Sequence, residues 1–235
     1  MQIKNSVALV TGANRGIGRA YVQALLEAGA AKVYAAARDI SSIEAAPRVV
    51  PIKLDVTSAE DIAAAAEQAK DITLLINNAG ISGRNGISAG KIDVNTLRQE
   101  IETNAIGPLA VSLAIAPVLA ANGGGAIVNM HSALSWINLP NTITYSASKA
   151  AVWSLTNGLR LQLASQGTLV TGVHVAFVDT DMTRGLQGVP KADANDVVKR
   201  VLDGLEKNET EILADETAQK IKQNLSNGIY LRPVS

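Results

Sequence analysis

The chain has 235 residues, with 21 basic and 21 acidic side chains and no cysteine, and its isoelectric point lies near 6.7. That length fits one large domain or two small ones and allows a sizeable core. Zero net charge without a basic stripe speaks against nucleic acid and anionic membrane as partners, and the lack of cysteine excludes disulfides and thiolate metal sites.

Residues 7–10 open the chain as an aliphatic strand, too short for the core of a signal peptide. No apolar stretch reads as membrane-spanning, so a soluble, cytoplasmic protein without a metal is expected. The strand runs into Thr11-Gly12-Ala13-Asn14-Arg15-Gly16-Ile17-Gly18, and a helix follows over 15–28, with Gly29 as its stop. The glycines are not spaced as G-x-G-x-x-G, but strand, glycine turn and helix N-terminus are the context that a dinucleotide site demands. Glycines let backbone approach a pyrophosphate, and the helix end offers free N–H groups. The alternative is a glycine-rich turn with no ligand.

The second strand, 32–36, ends in Ala37-Arg38-Asp39. An arginine there accommodates the 2′-phosphate of NADP, whereas an acid binds the ribose hydroxyls of NAD. Arg38, with Arg15 in the glycine turn, favours NADP(H) over NAD(H). One residue of register would make Asp39 the NAD acid, and both could be solvated loop charges. A third strand over 49–54 is closed by Asp55 and Val56, a helix spans 58–69, and a fourth strand over 73–76 is closed by Asn77-Asn78-Ala79-Gly80. Polar residues at the carboxyl ends of parallel strands sit where such sheets bind ligands, although both asparagines could instead tie loop backbone together.

Residues 94–121 read as one long helix, interrupted by Asn104 ahead of Gly107-Pro108. A kink there would free a carbonyl to hold water; the alternative is an exposed mid-helix asparagine. Gly123-Gly124-Gly125 turns into a strand over 126–129, and Ser132 follows, placed to hydrogen-bond a substrate oxygen or to be an ordinary loop serine. The helix over 145–165 carries Tyr145 and Lys149 four residues apart. On a helix that spacing puts Cβ atoms about 5–6 Å apart on one face. A free tyrosine titrates near pH 10, and a nearby cation lowers that value. A shift of about three units takes roughly 4 kcal/mol and makes Tyr145 a usable general acid or base. A strand over 169–175, a helix over 193–206 capped by Asp193 or Asn195, a strand over 211–213 and a short helix over 215–225 complete the alternation. Strict β-α order argues for a single α/β domain over 1–235, a doubly wound parallel sheet of Rossmann type in three layers. The tail 229–235 carries no signal.

Taken together, Thr11-Gly12-x-x-x-Gly16-x-Gly18, Asn77-Asn78-Ala79-Gly80, Asn104, Ser132 and Tyr145-x-x-x-Lys149 resemble the short-chain dehydrogenase/reductases over roughly residues 5–182. The resemblance implies a nicotinamide cofactor and assigns roles. Tyr145 would be the proton donor in reduction and the base in oxidation. Ser132 would orient the carbonyl, Lys149 would bind the nicotinamide ribose and lower the phenol's pKa, and Asn104 would hold a relay water. Gly12, Arg15, Gly16, Ile17, Gly18, Asn78, Ala79 and Gly80 would surround the dinucleotide. Asp55, Val56 and Asn78 would contact its adenine side, and Val178 and Thr180 its carboxamide. The chain departs from the family in carrying Val175-Ala176 where Pro-Gly is usual, and His131 where a small residue is common. His131 reads either as a proton-transfer accessory with a free Nε2 or as a packed residue, and His174 as structural.

A short lid over 183–192 implies an open pocket for varied ketones, with Leu186, Val189, Pro190, Trp136, Ile137 and Leu139 as apolar contacts. The resemblance further implies a small-molecule carbonyl or alcohol substrate and a homodimer or homotetramer built on the long helices. The rivals are an NAD-dependent alcohol dehydrogenase of the same family, an epimerase or dehydratase of its extended branch, and a dinucleotide-binding sensor without turnover.

Overall fold

Strands that are aliphatic on both faces need a helical cover above and below. The structure, a computed structural model, describes residues 1–83, 87–88 and 91–231. In chain order the elements are β1 (Val7–Thr11), α1 (Gly16–Glu27), β2 (Lys32–Ala37), β3 (Val49–Lys53), α2 (Ala59–Gln68), β4 (Leu74–Asn77), β5 (Ile87–Ser88), β6 (Lys91–Ile92), α3 (Val94–Ile101), α4 (Gly107–Ala121), β7 (Gly125–Met130), α5 (Ile143–Leu163), β8 (Thr168–His174), α6 (Ala194–Glu206), β9 (Glu211–Leu213) and α7 (Glu216–Gln223). Seven strands form one parallel sheet in the order β3-β2-β1-β4-β7-β8-β9. All seven anticipated strands are present. The order reverses between β1 and β4, and ligands of such sheets bind at that switch point, beyond the strands' carboxyl ends.

Alternation along each strand divides the core in two. Ala8 and Val10 face α1 and α6, packing with Tyr21, Leu25, Val197 and Val201. Leu9, between them, faces the other layer, with Ile62 of α2, Val111, Ile115 and Leu119 of α4, and Leu159 of α5. Each such side chain, buried, contributes roughly 1.5–3 kcal/mol of hydrophobic stabilisation. The outer strand β3 departs from the two-faced burial expected of every strand: Val50 and Pro51 are exposed. Proline lacks an N–H, and an edge strand tolerates it.

The segment read as one helix over 94–121 is three. α3 gives way to a π-helical turn over Glu102–Ile106, closed by Gly107 N–H on the Glu102 carbonyl, and α4 then starts with Pro108 in its first turn. The extra residue of the π turn rotates Asn104 inward, so it is 1 % exposed rather than the solvated asparagine held open as an alternative. The same stretch, Val94–Ala121, contains an 18-residue window with a mean hydropathy of 1.8, long and apolar enough to cross a membrane, contrary to the sequence reading. Its apolarity is explained by α4 lying on the sheet with Val111, Ile115 and Leu119 buried.

Helix ends follow the sequence closely. Asp193 caps α6 by accepting from Asn195 N–H, so Asp193 and not Asn195 is the cap. Gly29 takes a φ of +85° just after α1. α5 begins at Ile143, two residues before Tyr145, which places the tyrosine in its first turn. Of the tail, residues 229–231 form a 3-10 turn, and residues 232–235 lie outside the described residues.

Candidate active site

The carboxyl ends of β1, β2, β4, β7 and β8 open into one cleft of about 1210 Å³, above the roughly 300–1,000 Å³ usual for a small-ligand pocket. Its floor at β1 is the glycine turn. Gly12 and Gly16 hold φ values of +63° and +52°, which side chains larger than hydrogen resist. Gly18 does not line the cleft. It lies beneath the turn, where an added Cβ would stand 2.1 Å from the Gly12 carbonyl oxygen. α1 therefore packs hard against β1, and its first turn reaches the cleft. That helix has no side-chain cap, whereas Ser58, Asp193 and Asp215 cap α2, α6 and α7. Its first N–H groups remain available to an anion. Asn78 braces the turn, its amide donating to the Thr11 and Gly12 carbonyls at 3.0 and 3.2 Å.

Gly12, Arg15, Gly16, Ile17, Asn78, Ala79 and Gly80 all line the cleft, as do Arg38, Asp55, Val56, Val178 and Thr180 further along it. Asp55 and Val56 stand just beyond the end of β3 rather than within it. Thr57 N–H and hydroxyl hold the Asp55 carboxyl below its usual range, and Arg38 adds to the effect. Asp39 also lines the cleft, but one carboxylate oxygen accepts from both Ser41 hydroxyl and Ser41 N–H, at 2.7 and 2.9 Å. Arg38 has no such tie in the hydrogen bonds of the described residues. Asn77 does not reach the cleft. It is buried, donating to Asn129 and Ser112 at 2.8 and 2.9 Å, a structural bridge between β4, β7 and α4.

The chemical end joins Ser132, Tyr145 and Lys149 at the cleft and sets Asn104 behind its wall. Tyr145 and Lys149 share one face of α5, with the ammonium 5.7 Å from the ring centroid. Ser132 stands beside the Tyr145 hydroxyl and acts to lower its pKa. Ser132 is positioned by a 3-10 turn over Ala133–Ser135 that it caps, its Oγ accepting from Leu134 N–H at 3.1 Å. Asn104 clamps Ile81 through both amide atoms at 2.8 Å and donates to Ser148 Oγ at 3.0 Å. Its donors are thereby committed to protein partners.

Titration here departs from the expectation. Beside Lys149 the phenol is shifted upward, not down. The ammonium donates to the Met130 carbonyl at 2.8 Å. Burial pushes Tyr145 above its usual value and the Glu100 carboxylate pushes it further, outweighing the effect of Ser132. Burial also pulls Lys149 down to about 8. A phenol so placed keeps its proton at neutral pH. Glu100 was not singled out in the sequence, where it is one acid among the polar residues of an amphipathic helix. Fully buried, its Oε1 accepts from Gly83 N–H at 2.7 Å.

The apolar contacts expected around the substrate are elsewhere. Trp136 stacks on His174 with ring centroids 3.8 Å apart, and Ile137 packs with α7 in a small cluster of its own. Leu139 is absent from the lining, and the segment 183–192 folds as an exposed loop closed by Ala192 N–H on the Phe177 carbonyl. Leu186, Val189 and Pro190 are absent from the cleft lining, and Met182 and Thr183 line it instead. At the departure from Pro-Gly, Val175 and Ala176 both line the cleft, and Asp215, the cap of α7, holds Ala176 N–H. His131 is packed, with Nε2 bonded to Thr156 Oγ1 at 2.8 Å rather than free.

Comparison with known proteins is consistent throughout. Residues 6–188 match the sequence profile described as short chain dehydrogenase. A 3-oxoacyl-acyl-carrier-protein reductase of Vibrio harveyi is 31% identical over 200 residues, covering 82% of this chain and 81% of that protein. A cis-4-hydroxycyclohexanecarboxylate dehydrogenase of Sinomonas cyclohexanicum is 34% identical over 190 residues, covering 77% and 76%. Among solved structures, a short chain dehydrogenase from Burkholderia cenocepacia J2315 in complex with NADP is 41% identical, aligns over 100% of both chains and superposes with a TM-score of 0.94.

Proposed function

The chain belongs to the short-chain dehydrogenase/reductase family of NAD(P)-dependent oxidoreductases, and from that premise we propose that it reduces a ketone or aldehyde to an alcohol with NADPH. The observation that carries this reading is the convergence of Ser132, Tyr145 and Lys149 at one end of a cleft whose other end is an uncapped helix N-terminus on a glycine turn. The residues present fit a dinucleotide. α1 would hold the pyrophosphate, Asp55 and Val56 the adenine side, and Val178 and Thr180 the carboxamide. When bound, the nicotinamide supplies or takes the hydride.

The remaining chemistry falls to side chains. Ser132 and Tyr145 present two hydroxyls to a carbonyl oxygen, where they stabilise charge as it develops. Tyr145, whose phenol holds its proton at neutral pH, donates it to that oxygen. Lys149 supplies positive charge behind the phenol and a donor for the ribose. Asn104 anchors Ile81 and so fixes the loop after Gly80.

Arg38 favours the 2′-phosphate of NADP, and Asp39, the acid that NAD would need, is occupied by Ser41. The Burkholderia relative was solved with NADP, which supports the same choice. A homo-oligomer built on α4 and α5 agrees with Leu113 and Leu161, exposed at 44% and 82% on those helices. We place the enzyme in the cytoplasm and assign it a small-molecule substrate. A panel of ketones, aldehydes, sugars and quinones, each with NADPH and NADH, tests the reading by nicotinamide absorbance. Faster oxidation of NADPH with at least one carbonyl is expected. NADPH binding without oxidation by any of them would favour the sensor.

A further inference from the structure

Behind Ser132 lie the only two histidines of the chain. His131, at the end of β7, is 3% exposed and His174, at the end of β8, is fully buried. Their rings form a connected path: His131 Nε2 is 2.8 Å from Thr156 Oγ1, His131 Nδ1 is 3.2 Å from His174 Nε2, and His174 Nδ1 is 3.2 Å from the Ser132 carbonyl oxygen. All four ring nitrogens are thus engaged, and a neutral imidazole carries one proton. A carbonyl oxygen only accepts, so His174 Nδ1 must bear the hydrogen. His174 Nε2 then accepts, so His131 donates from Nδ1. His131 Nε2 accepts in turn, from the Thr156 hydroxyl. The path continues backwards, with Asn129 donating to Thr156 at 2.9 Å and Asn77 donating to Asn129 at 2.8 Å.

One other assignment exists. The Thr156 hydroxyl also lies 2.7 Å from the Val152 carbonyl. If its proton goes there, His131 donates from Nε2, and one of the two rings, His174 or His131, must carry both protons. That makes one ring of the pair a buried cation. Glu211 of β9 stands 3.7 Å from His174, but Lys222 of α7 already takes both of its oxygens at 2.9 and 2.8 Å. Lys149 and Lys222 oppose a charge on His174, and Lys149 and Arg160 oppose one on His131. Burial disfavours either imidazolium, holding His174 down to about 4. The neutral assignment is the consistent one.

The surroundings are shaped for these rings. Trp136 lies flat on His174, with an interplanar angle of 16°. Opposite His131 the chain has Gly172, where an added Cβ would stand 2.5 Å from His131 Cε1. The path ends on a residue held at both sides. The Ser132 carbonyl accepts from His174 and from Ser135 N–H at 2.9 Å, and Ser132 N–H donates to Ser135 Oγ at 3.3 Å. With both flanking peptides fixed, the Cα–Cβ direction of Ser132 is fixed too.

We propose that His131 and His174 are positioning residues: a neutral pair of fixed tautomers whose terminal donor, His174 Nδ1–H, holds the Ser132 carbonyl and so aims the Ser132 hydroxyl at the substrate oxygen. The functional half of this rests on the carbonyl-reductase reading; the tautomers do not.

The test therefore has two arms. In full-length protein labelled with 15N-histidine and free of a histidine tag, only two imidazole spin systems exist. Both are expected as neutral Nδ1–H rings, unchanged from about pH 5 to pH 8. An Nε2–H tautomer on either ring, or a cationic His174 at neutral pH, overturns the proposal whether or not the enzyme turns over. The second arm compares His174→Asn, whose amide places an N–H near the old Nδ1, with His174→Gln, whose amide lies near the old Nε2. With the ketone that wild type reduces fastest, kcat should stay within about threefold for Asn and fall about tenfold for Gln. The NADPH Kd should be unchanged in both. Equal kcat in the two variants, or parallel losses of kcat and NADPH affinity, would make the pair packing only and overturn the positioning role.

Discussion

Replacing Lys149 by methionine should stabilise the free protein while stopping turnover. Lys149 is 5% exposed, and burial pulls its ammonium from 10.5 to about 8. At about 1.36 kcal/mol per pH unit this is a folding penalty of roughly 3 kcal/mol at neutral pH. Methionine removes the penalty but leaves the Met130 carbonyl without its donor, a cost of about 1 kcal/mol beside a wet cleft. The net gain is about 2 kcal/mol, or about 4–8 °C in Tm for a domain of this size. The pH dependence provides a sharper check. Below pH 8 lysine is protonated in both the folded and unfolded states, and the penalty is complete. Between about 8 and 10.5 the folded state alone loses the proton, so wild-type stability climbs with pH by roughly 1 kcal/mol per unit. Urea unfolding of both proteins at about pH 7 and pH 9.5 reads the difference. A gap that favours methionine at pH 7 and closes by pH 9.5 is expected. A less stable variant at pH 7, or a gap independent of pH, would refute burial as the source of the shift.

Arg38→Ala should raise the KM for NADPH by about 10- to 100-fold, the loss of a charged hydrogen bond to phosphate, and change the KM for NADH less than about twofold; steady-state kinetics with each cofactor decides. Gly18→Ala puts a Cβ against the Gly12 carbonyl. It should cost about 1–3 kcal/mol of stability and weaken NADPH binding, as read by urea unfolding and fluorescence titration. The Tyr145 phenol, held above its usual value, keeps its proton throughout the neutral range, so the rate of carbonyl reduction should not fall between about pH 6 and pH 8 for want of the acid. Alcohol oxidation, which needs the phenolate, should still be accelerating at about pH 9–10. A pH profile of kcat in each direction checks this, and an oxidation rate flat from pH 7 upward would contradict it.

Much of the molecule is legible in the chain because local rules decide it. Seven aliphatic runs separated by helical patterns leave few alternatives to a parallel sheet, and glycine turns at 12–18 need little tertiary context. The four-residue spacing of Tyr145 and Lys149 guarantees a shared face once α5 forms. What was not legible depends on partners distant in sequence. The π turn at Glu102–Ile106 is too short to leave a periodicity signal between amphipathic α3 and α4, which is apolar on every side. The direction of the Tyr145 shift is set by burial that only the folded chain creates, and Glu100, 45 positions earlier, adds to it. Nothing local in the sequence tells whether the apolar residues after Ser132 and in the 183–192 loop meet a substrate or pack elsewhere. Trp136 joins the histidine pair, whose strands meet only in the sheet. The one cue for that pair is Gly172, a small residue in a strand beside a ring.

The most direct measurement follows NADPH oxidation and NADPH binding together in wild type and Tyr145→Phe, using the ketone that wild type reduces fastest. Loss of the phenol proton alone should lower kcat by about 10²–10⁴-fold with the NADPH Kd within about twofold. A phenylalanine variant that oxidises NADPH at the wild-type rate would show that the proton reaches the carbonyl by another route.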